Sequence, residues 1–321
     1  MKFGLTLSSE EHPPARLLDI AELAEQSAFD FISISDHFHP WLDDQGHSPF
    51  VWTMLGALAE RTGRVGVVVG VTCPIMRIHP AILAQATATT SALLGGRFTW
   101  GVGTGEALNE HILGDKWPPA PQRLEMLDEA IHVIRALWTG DEVSFEGEFF
   151  TVENARIYDA PAAPISVVVS AFGPKAAELA ARTGDGLWTT GGASDTIELW
   201  RNAGGSGPIY SQLDICWGPD RDEALDTVEH IWRTAGVPGQ LMQDLPTPAH
   251  FDTAASVVRR EDLAESVIVG ADEKRLVDEV RAAARAGVDH LYFHQIGDDQ
   301  EAFCGAWRDG LAELLTEAAA G

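Results

Sequence analysis

The sequence predicts a (β/α)8 barrel, a TIM barrel with insertions, and three observations point to it. Short β-rich runs alternate with longer amphipathic stretches, the βαβα order of a parallel sheet covered by helices. The β-rich runs number eight, the count at which such a sheet closes on itself. The chain's 321 residues, 45% of them hydrophobic, suffice for one large core of the size a barrel of about 250 residues needs.

The predicted strands cover residues 3–7, 31–35, 65–69, 98–102, 166–170, 186–190, 209–215 and 290–293. Helices are expected over 14–27, 49–62, 80–94, 122–138, 174–183, 220–233, 272–286 and 300–319. Proline stands at or near the start of several, where its missing N–H removes no intrahelical bond. Leu124, Leu127, Ile131, Ile134, Leu137 and Trp138 follow the 3.6 period, so that helix packs one face on the sheet. Two stretches break the alternation. Residues 141–159 alternate apolar and polar about Glu146-Gly147 and read as an inserted β-hairpin. The second insertion, about 235–265 and already irregular from Trp232, is rich in glycine and proline and is expected to fold over an active site. With no interdomain linker, residues 1–321 read as a single domain.

Composition narrows the function. A net charge of −26 opposes sequence-independent binding to nucleic acid or to an anionic membrane, since both need clustered Lys and Arg. No apolar run approaches the roughly 18–20 residues of a membrane span. The N-terminus turns polar at Ser8-Ser9-Glu10-Glu11 before a signal-peptide core could form, so a cytoplasmic location is expected. Cys73, Cys216 and Cys304 match neither a disulfide framework nor a zinc pattern and are expected as reduced thiols.

In a parallel barrel the chemistry stands at the carboxyl ends of the strands. Those ends are polar here: Asp36-His37-Phe38-His39-Pro40-Trp41 after the second strand, Gly70-Val71-Thr72-Cys73-Pro74 after the third, and Gly103-Thr104-Gly105-Glu106-Ala107-Leu108-Asn109-Glu110 after the fourth. Ala171-Phe172-Gly173-Pro174 follows the fifth, Thr190 ends the sixth, and His294-Gln295 follows the eighth. Glycine spacing in Gly-Val-Gly-Thr-Gly is not a dinucleotide fingerprint.

These segments, with Leu-Trp-Thr-Gly-Asp-Glu-Val and Ala-Arg-Thr-Gly-Asp-Gly-Leu-Trp in the same order, carry a resemblance over residues 3–303. The chain resembles the bacterial-luciferase-like oxidoreductases, in particular the group of coenzyme F420-dependent glucose-6-phosphate dehydrogenases. The resemblance implies a hydride transfer between an alcohol or hemiacetal and the deazaflavin F420. It implies His37 as the base for the substrate hydroxyl, Trp41 as a pocket wall and Glu106 as the acid near N1 of the cofactor. Asp36 falls at the cofactor's tail and ring edge, with Gly70, Val71, Cys73, Gly103, Thr104, Gly105, Asn109, Ala171, Phe172, Gly173 and Thr190 around the cofactor. Glu10, His39 and His294 fall in the substrate pocket. A bulge with a non-prolyl cis peptide at Gly70-Val71 props the ring in such proteins, and a homodimer is expected.

Elementary chemistry agrees with this assignment. Taking hydride from an alcohol requires a base for its proton, and an imidazole titrating near neutrality suits that task. Reduction of a flavin-like ring builds negative charge at N1, which a carboxylic acid kept protonated by burial could quench. The cofactor phosphate is expected at backbone N–H groups of Gly173 and the helix opened by Pro174, and near Thr104-Gly105. Sugar-phosphate members of the family hold substrate phosphate with two lysines, and the matching positions here are Ala193 and Glu265. Unless Arg201, Arg259 or Arg260 compensates, an uncharged alcohol, hemiacetal or enone is the expected small-molecule substrate. FMN is the alternative cofactor, since segments such as Asn-Glu-His-Ile-Leu-Gly-Asp-Lys-Trp-Pro look as much like FMN-using relatives. Two further readings are a barrel that binds such a ring without catalysis and a metal-dependent hydrolase in which Asp36, His37, His39 and His294 ligate the ion. The primary assignment contains no metal.

Overall fold

The computed structural model describes residues 1–191 and 194–321. Its strands are β1 (Lys2–Leu7), β2 (Phe31–Ile34), β3 (Gly66–Thr72), β4 (Phe98–Val102), β5 (Val143–Glu146), β6 (Thr151–Ala155), β7 (Ser166–Ser170), β8 (Gly186–Thr190), β9 (Ile209–Cys216), β10 (Ile268–Val269) and β11 (His290–Gln295). Parallel pairing runs β9-β11-β1-β2-β3-β4-β7-β8 and returns to β9, closing an eight-stranded barrel. All eight predicted strands are present. Runs such as Val67-Val68-Val69 and Val167-Val168-Val169 are buried on both faces, which is why they read as continuous apolar segments.

The barrel interior is filled by an aromatic plug. Phe31, Val68, Val168, Trp188, Tyr210 and Tyr292, from six different strands, form one buried cluster. Trp188 and Tyr210 stack at 5.5 Å, and Trp188 lies 4.7 Å from Tyr292. A Cβ at Gly70 would meet the Trp188 ring at 2.1 Å, so only glycine lets β3 pass over the plug. There β3 departs from regular register between Val69 and Thr72, and the Gly70-Val71 peptide is cis, as the resemblance implied.

The hairpin is observed as β5 and β6, antiparallel, with Gly147 N–H donating to the Phe150 carbonyl. It is fastened to the helix Ala120–Leu137 by Glu129, whose carboxylate accepts the N–H groups of Glu148, Phe149 and Phe150.

Several expectations need correction. The second insertion is not irregular: it carries helices Leu241–Asp244, Pro248–Ala255 and Arg260–Ser266 before β10, which pairs with the end of β9. Helices of four to eight residues are too short to show a period. A helix at Ser194–Asn202, buried through Ile197 and Trp200, escaped the sequence reading for the same reason. The helix expected from Pro49 begins at Val51, because Phe50 keeps extended backbone. The predicted 300–319 helix breaks at Gly310 (φ 130°), inside a wider turn over Trp307–Leu311. Ala193 lies outside the described residues.

Candidate functional site

The loop after β2 is held by the loop after β4. Asn109, fully buried, accepts the N–H groups of Phe38 (2.9 Å) and His39 (3.2 Å) on its Oδ1, and its Nδ2 donates to Glu106 Oε2 at 3.3 Å. One amide therefore ties the His37 loop to Glu106, segments about seventy positions apart in the chain.

His37 has a fixed tautomer. Its Nδ1 lies 3.2 Å from the His39 carbonyl and 3.3 Å from Glu10 Oε1. A carbonyl can only accept, so Nδ1 carries the hydrogen and Nε2 presents a lone pair. Glu10 stands behind it, 2% exposed, its Oε2 accepting the Ser35 and Ser8 hydroxyls at 2.8 and 3.1 Å. The arrangement of carboxylate, imidazole and free nitrogen orients a general base. Trp41 packs edge-on against His37 at 4.9 Å and against fully buried Phe251 at 5.0 Å. Phe251 belongs to the second insertion, so that insertion closes against the His37 loop. Arg123 adds a second tie, donating to the Pro118 carbonyl and to Gln243 Oε1.

Beneath these groups the floor is made of close backbone. A Cβ on Gly103 would meet Val71 Cγ2 at 2.9 Å, and one on Gly105, at φ 72°, would meet Cys73 Sγ at 2.5 Å. Burial pushes the Cys73 thiol far above its ordinary value, with Glu110 adding to the effect, which removes it as a nucleophile.

Two groups that sequence reasoning did not single out complete the rim. Arg77 Nη2 donates to Asp36 Oδ1 at 2.7 Å, and its main-chain N–H donates to Glu110 Oε2 at 2.8 Å. Burial pushes the Glu110 carboxyl up to about 7 despite the neighbouring Arg77, with Asp36 and Glu106 raising it further. Glu110 is thus the deeply buried carboxyl of this segment, whereas Glu106, which the sequence reading expected to be buried, is only half-buried. A lone arginine just past β3, in a chain with 22 basic residues, was the signal available for Arg77.

His294 is buried between Glu11 Oε1 (2.6 Å) and Asp214 Oδ1 (3.0 Å), with Trp232 edge-on at 4.5 Å. Burial alone would lower its pKa; the two carboxylates override this and raise it to about 10. Both ring nitrogens are engaged, and the sequence gave no sign of that pairing. His39 donates from Nδ1 to the Leu108 carbonyl at 2.9 Å and stacks on His111. The histidines of the metal-hydrolase reading thus face different partners, and among the described residues no three His, Cys, Asp or Glu side chains are grouped to hold an ion. Ala171, Phe172, Gly173 and Thr190 occupy the same rim at the ends of β7 and β8. Phe172 is 58% exposed, and Gly173 stands before the helix Pro174–Thr183 in extended backbone. Thr104 lies half-buried between Gly103 and Gly105. A cavity of about 630 Å³ opens beside the cluster, between Glu11, Gln45, Trp217, Asp220 and Gln295; none of His37, Trp41 or Glu106 lines it.

Barrel and rim define a class first: an eight-stranded parallel barrel with an oriented histidine and a carboxylate tied together over a glycine-rich floor. A family model described as luciferase-like monooxygenase matches residues 1–290, and the chain belongs to that family. It is 36% identical over 316 residues, 94% of each chain, to an F420-dependent glucose-6-phosphate dehydrogenase of Microbacterium testaceum. A similar protein of the same name from Rhodococcus erythropolis is 36% identical over 98% of each chain. Among solved structures, an F420-dependent secondary alcohol dehydrogenase in complex with an F420-acetone adduct superposes with a TM-score of 0.88 at 31% identity, covering 96% of this chain and 97% of that one. The F420-dependent tetrahydromethanopterin reductase of Methanopyrus kandleri, at 20% identity and a TM-score of 0.76, shares the fold.

Proposed function

We propose that this protein is a coenzyme F420-dependent dehydrogenase that oxidises a small uncharged alcohol or hemiacetal, or runs the reverse reduction. The relatives named for F420 support the cofactor. The observation that carries the chemistry is the His37 imidazole, fixed by Glu10 and the His39 carbonyl with Nε2 free, in a loop tied through Asn109 to Glu106. The residues present fit the cofactor: Asp36 Oδ2 is a buried acceptor with no partner, and glycines at 70, 103 and 105 let the backbone after β3 and β4 pack closely beneath the rim. When bound, the deazaflavin supplies the hydride acceptor. His37 Nε2 takes the hydroxyl proton, Trp41 walls the substrate against Phe251, and Glu106, held by Asn109, is the carboxyl on the ring side. Asp36, Gly70, Val71, Cys73, Gly103, Thr104, Gly105, Asn109, Ala171, Phe172, Gly173 and Thr190 surround the cofactor.

The substrate is uncharged because no free cation is offered to a phosphate by the positions weighed for it. Glu265 is exposed and its carbonyl accepts from Arg275. Arg259 pairs with Asp262, Arg260 with Asp226 and Glu229, and Arg201 donates to the Ala286 carbonyl. The reading includes a cytoplasmic homodimer; among the described residues no helix is long and apolar enough to cross a membrane.

The test adds F420 or FMN to the purified protein and follows binding by calorimetry and thermal midpoint. A ligand at 100 times its Kd stabilises by about 2.7 kcal/mol. F420 is expected to bind and to be reduced by short secondary alcohols faster than by glucose 6-phosphate. Tight FMN binding without an F420 response overturns the cofactor, and preferred turnover of glucose 6-phosphate overturns the substrate class.

A further inference from the structure

We infer that Arg77 is a positioning residue for the cofactor: it grips one oxygen of Asp36 and leaves the other for a donor that the chain does not supply, and Glu110 anchors Arg77 in turn. This rests on the reading that Asp36 contacts F420.

Asp36, Arg77 and Glu110 have side chains that are 0, 7 and 1% exposed, so the three charges sit out of reach of water. Arg77 Nη2 donates to Asp36 Oδ1 at 2.7 Å and lies 3.4 Å from the Asp36 carbonyl. The same guanidinium approaches Glu110 Oε1 with Nε at 3.5 Å, while the Arg77 main chain is fixed on Glu110 Oε2. Glu110 thus holds the arginine at two points, and the arginine holds Asp36. Asp36 Oδ2 is left buried with no partner, as is Arg77 Nε by hydrogen-bond geometry.

A buried carboxylate oxygen with no donor is a costly group, and native interiors keep few of them. A donor from outside the chain, such as a ligand hydroxyl or N–H, satisfies it. Arg77 also fixes Asp36 in place: without the guanidinium, Oδ1 would lose its donor at 2.7 Å and a buried carboxylate would face Glu110 with no cation between them. Arginine is the residue for this task, because it stays charged at any relevant pH and bonds in two directions from one plane. Glu110 faces Arg77, Asp36, Glu106 and the Cys73 thiol, and burial has pushed it up to about 7. Its ionisation therefore changes the local charge within the neutral range.

The test measures F420 affinity by calorimetry for Asp36→Asn, Arg77→Gln, Arg77→Lys and Glu110→Gln, beside kcat and KM for the alcohol at saturating F420. Asp36→Asn and Arg77→Gln are each expected to weaken F420 at least about tenfold, and the double variant to be no weaker than the worse single one. Arg77→Lys keeps the charge but not the two-direction bonding, and is expected to recover part of the affinity. It also serves if Arg77→Gln does not fold. Alcohol KM at saturating F420 is expected to stay within about twofold, which a general structural defect would not leave alone. Glu110→Gln, which keeps an acceptor for the Arg77 main-chain N–H but removes the charge beside the guanidinium, is expected to weaken F420 less than Arg77→Gln does. Loss of F420 affinity in Asp36→Asn with none in either Arg77 variant overturns the role of Arg77 and leaves Asp36 as the cofactor contact. Unchanged affinity in Asp36→Asn overturns the underlying reading together with the inference.

Discussion

Two buried ionic groups on the rim have the same composition, one cation between two carboxylates, and behave in opposite ways. In one, Arg77 lies between Asp36 and Glu110; in the other, His294 lies between Glu11 and Asp214. Arginine cannot give up its proton, so the strain of burying two anions falls on a carboxyl, and Glu110 is pushed up to about 7. Histidine can, but the carboxylates on both its nitrogens outweigh its burial and raise it to about 10. Glu11 differs from Glu110 in its donors. Burial would raise it too, but His294 and the Gly297 N–H at 2.7 Å bring it below its ordinary value. Asp214 is part-exposed and also receives Gln212 Nε2 at 2.6 Å. Full hydrogen bonding makes the second group a fixed clamp, whereas partial bonding leaves the first able to change charge near neutrality.

The largest effect should come from breaking the clamp. His294→Leu leaves two carboxylates without their cation and is expected to lower stability by about 3–5 kcal/mol, read by urea unfolding. A loss below about 1 kcal/mol would mean the carboxylates are hydrated and the clamp is weak. An effect of similar size is expected from pH alone. Because the folded His294 is raised to about 10 from 6.5, its stabilisation is complete below about 6.5 and disappears as pH rises through 10. The thermal midpoint should fall over that window, and less so in His294→Leu. Glu110 predicts a trend of the same sign in a lower pH window, and the smallest of the three. A carboxyl raised from 4.5 to about 7 binds its proton more tightly in the folded state, so stability should decline between those values and level off above. Glu110→Gln should remove that slope; a slope unchanged in the variant would assign it to another group.

What the sequence revealed and what it hid follow the same physics. The barrel strands were legible because Val67-Val68-Val69 and Val167-Val168-Val169 are buried on both faces and so carry an unbroken apolar signal. Asp36, His37, Glu106 and Asn109 were legible because they stand directly after strands, where a parallel barrel gathers its polar groups. Partnerships across the rim were not legible. Nothing local tells that Glu10 would stand behind His37, that Glu11 would reach His294 across 283 positions, or that Arg77 would join Asp36 to Glu110. Those pairings come from barrel closure, which brings β1 beside β11 and β2 beside β3. The short helices of the second insertion were hidden because their stability comes from packing, as where Phe251 meets Trp41.

The claim that His37 is the base in a site shared with Glu106 is tested most directly by a single turnover. Protein loaded with oxidised F420 is mixed rapidly with a short secondary alcohol, and the loss of deazaflavin absorbance is followed from about pH 6 to 9 in wild type and in His37→Ala. The account predicts that the variant binds F420 as tightly as wild type but transfers hydride about 10²–10⁴-fold more slowly across that range. A His37→Ala protein that reduces F420 at the wild-type rate, with the same pH profile, would contradict it.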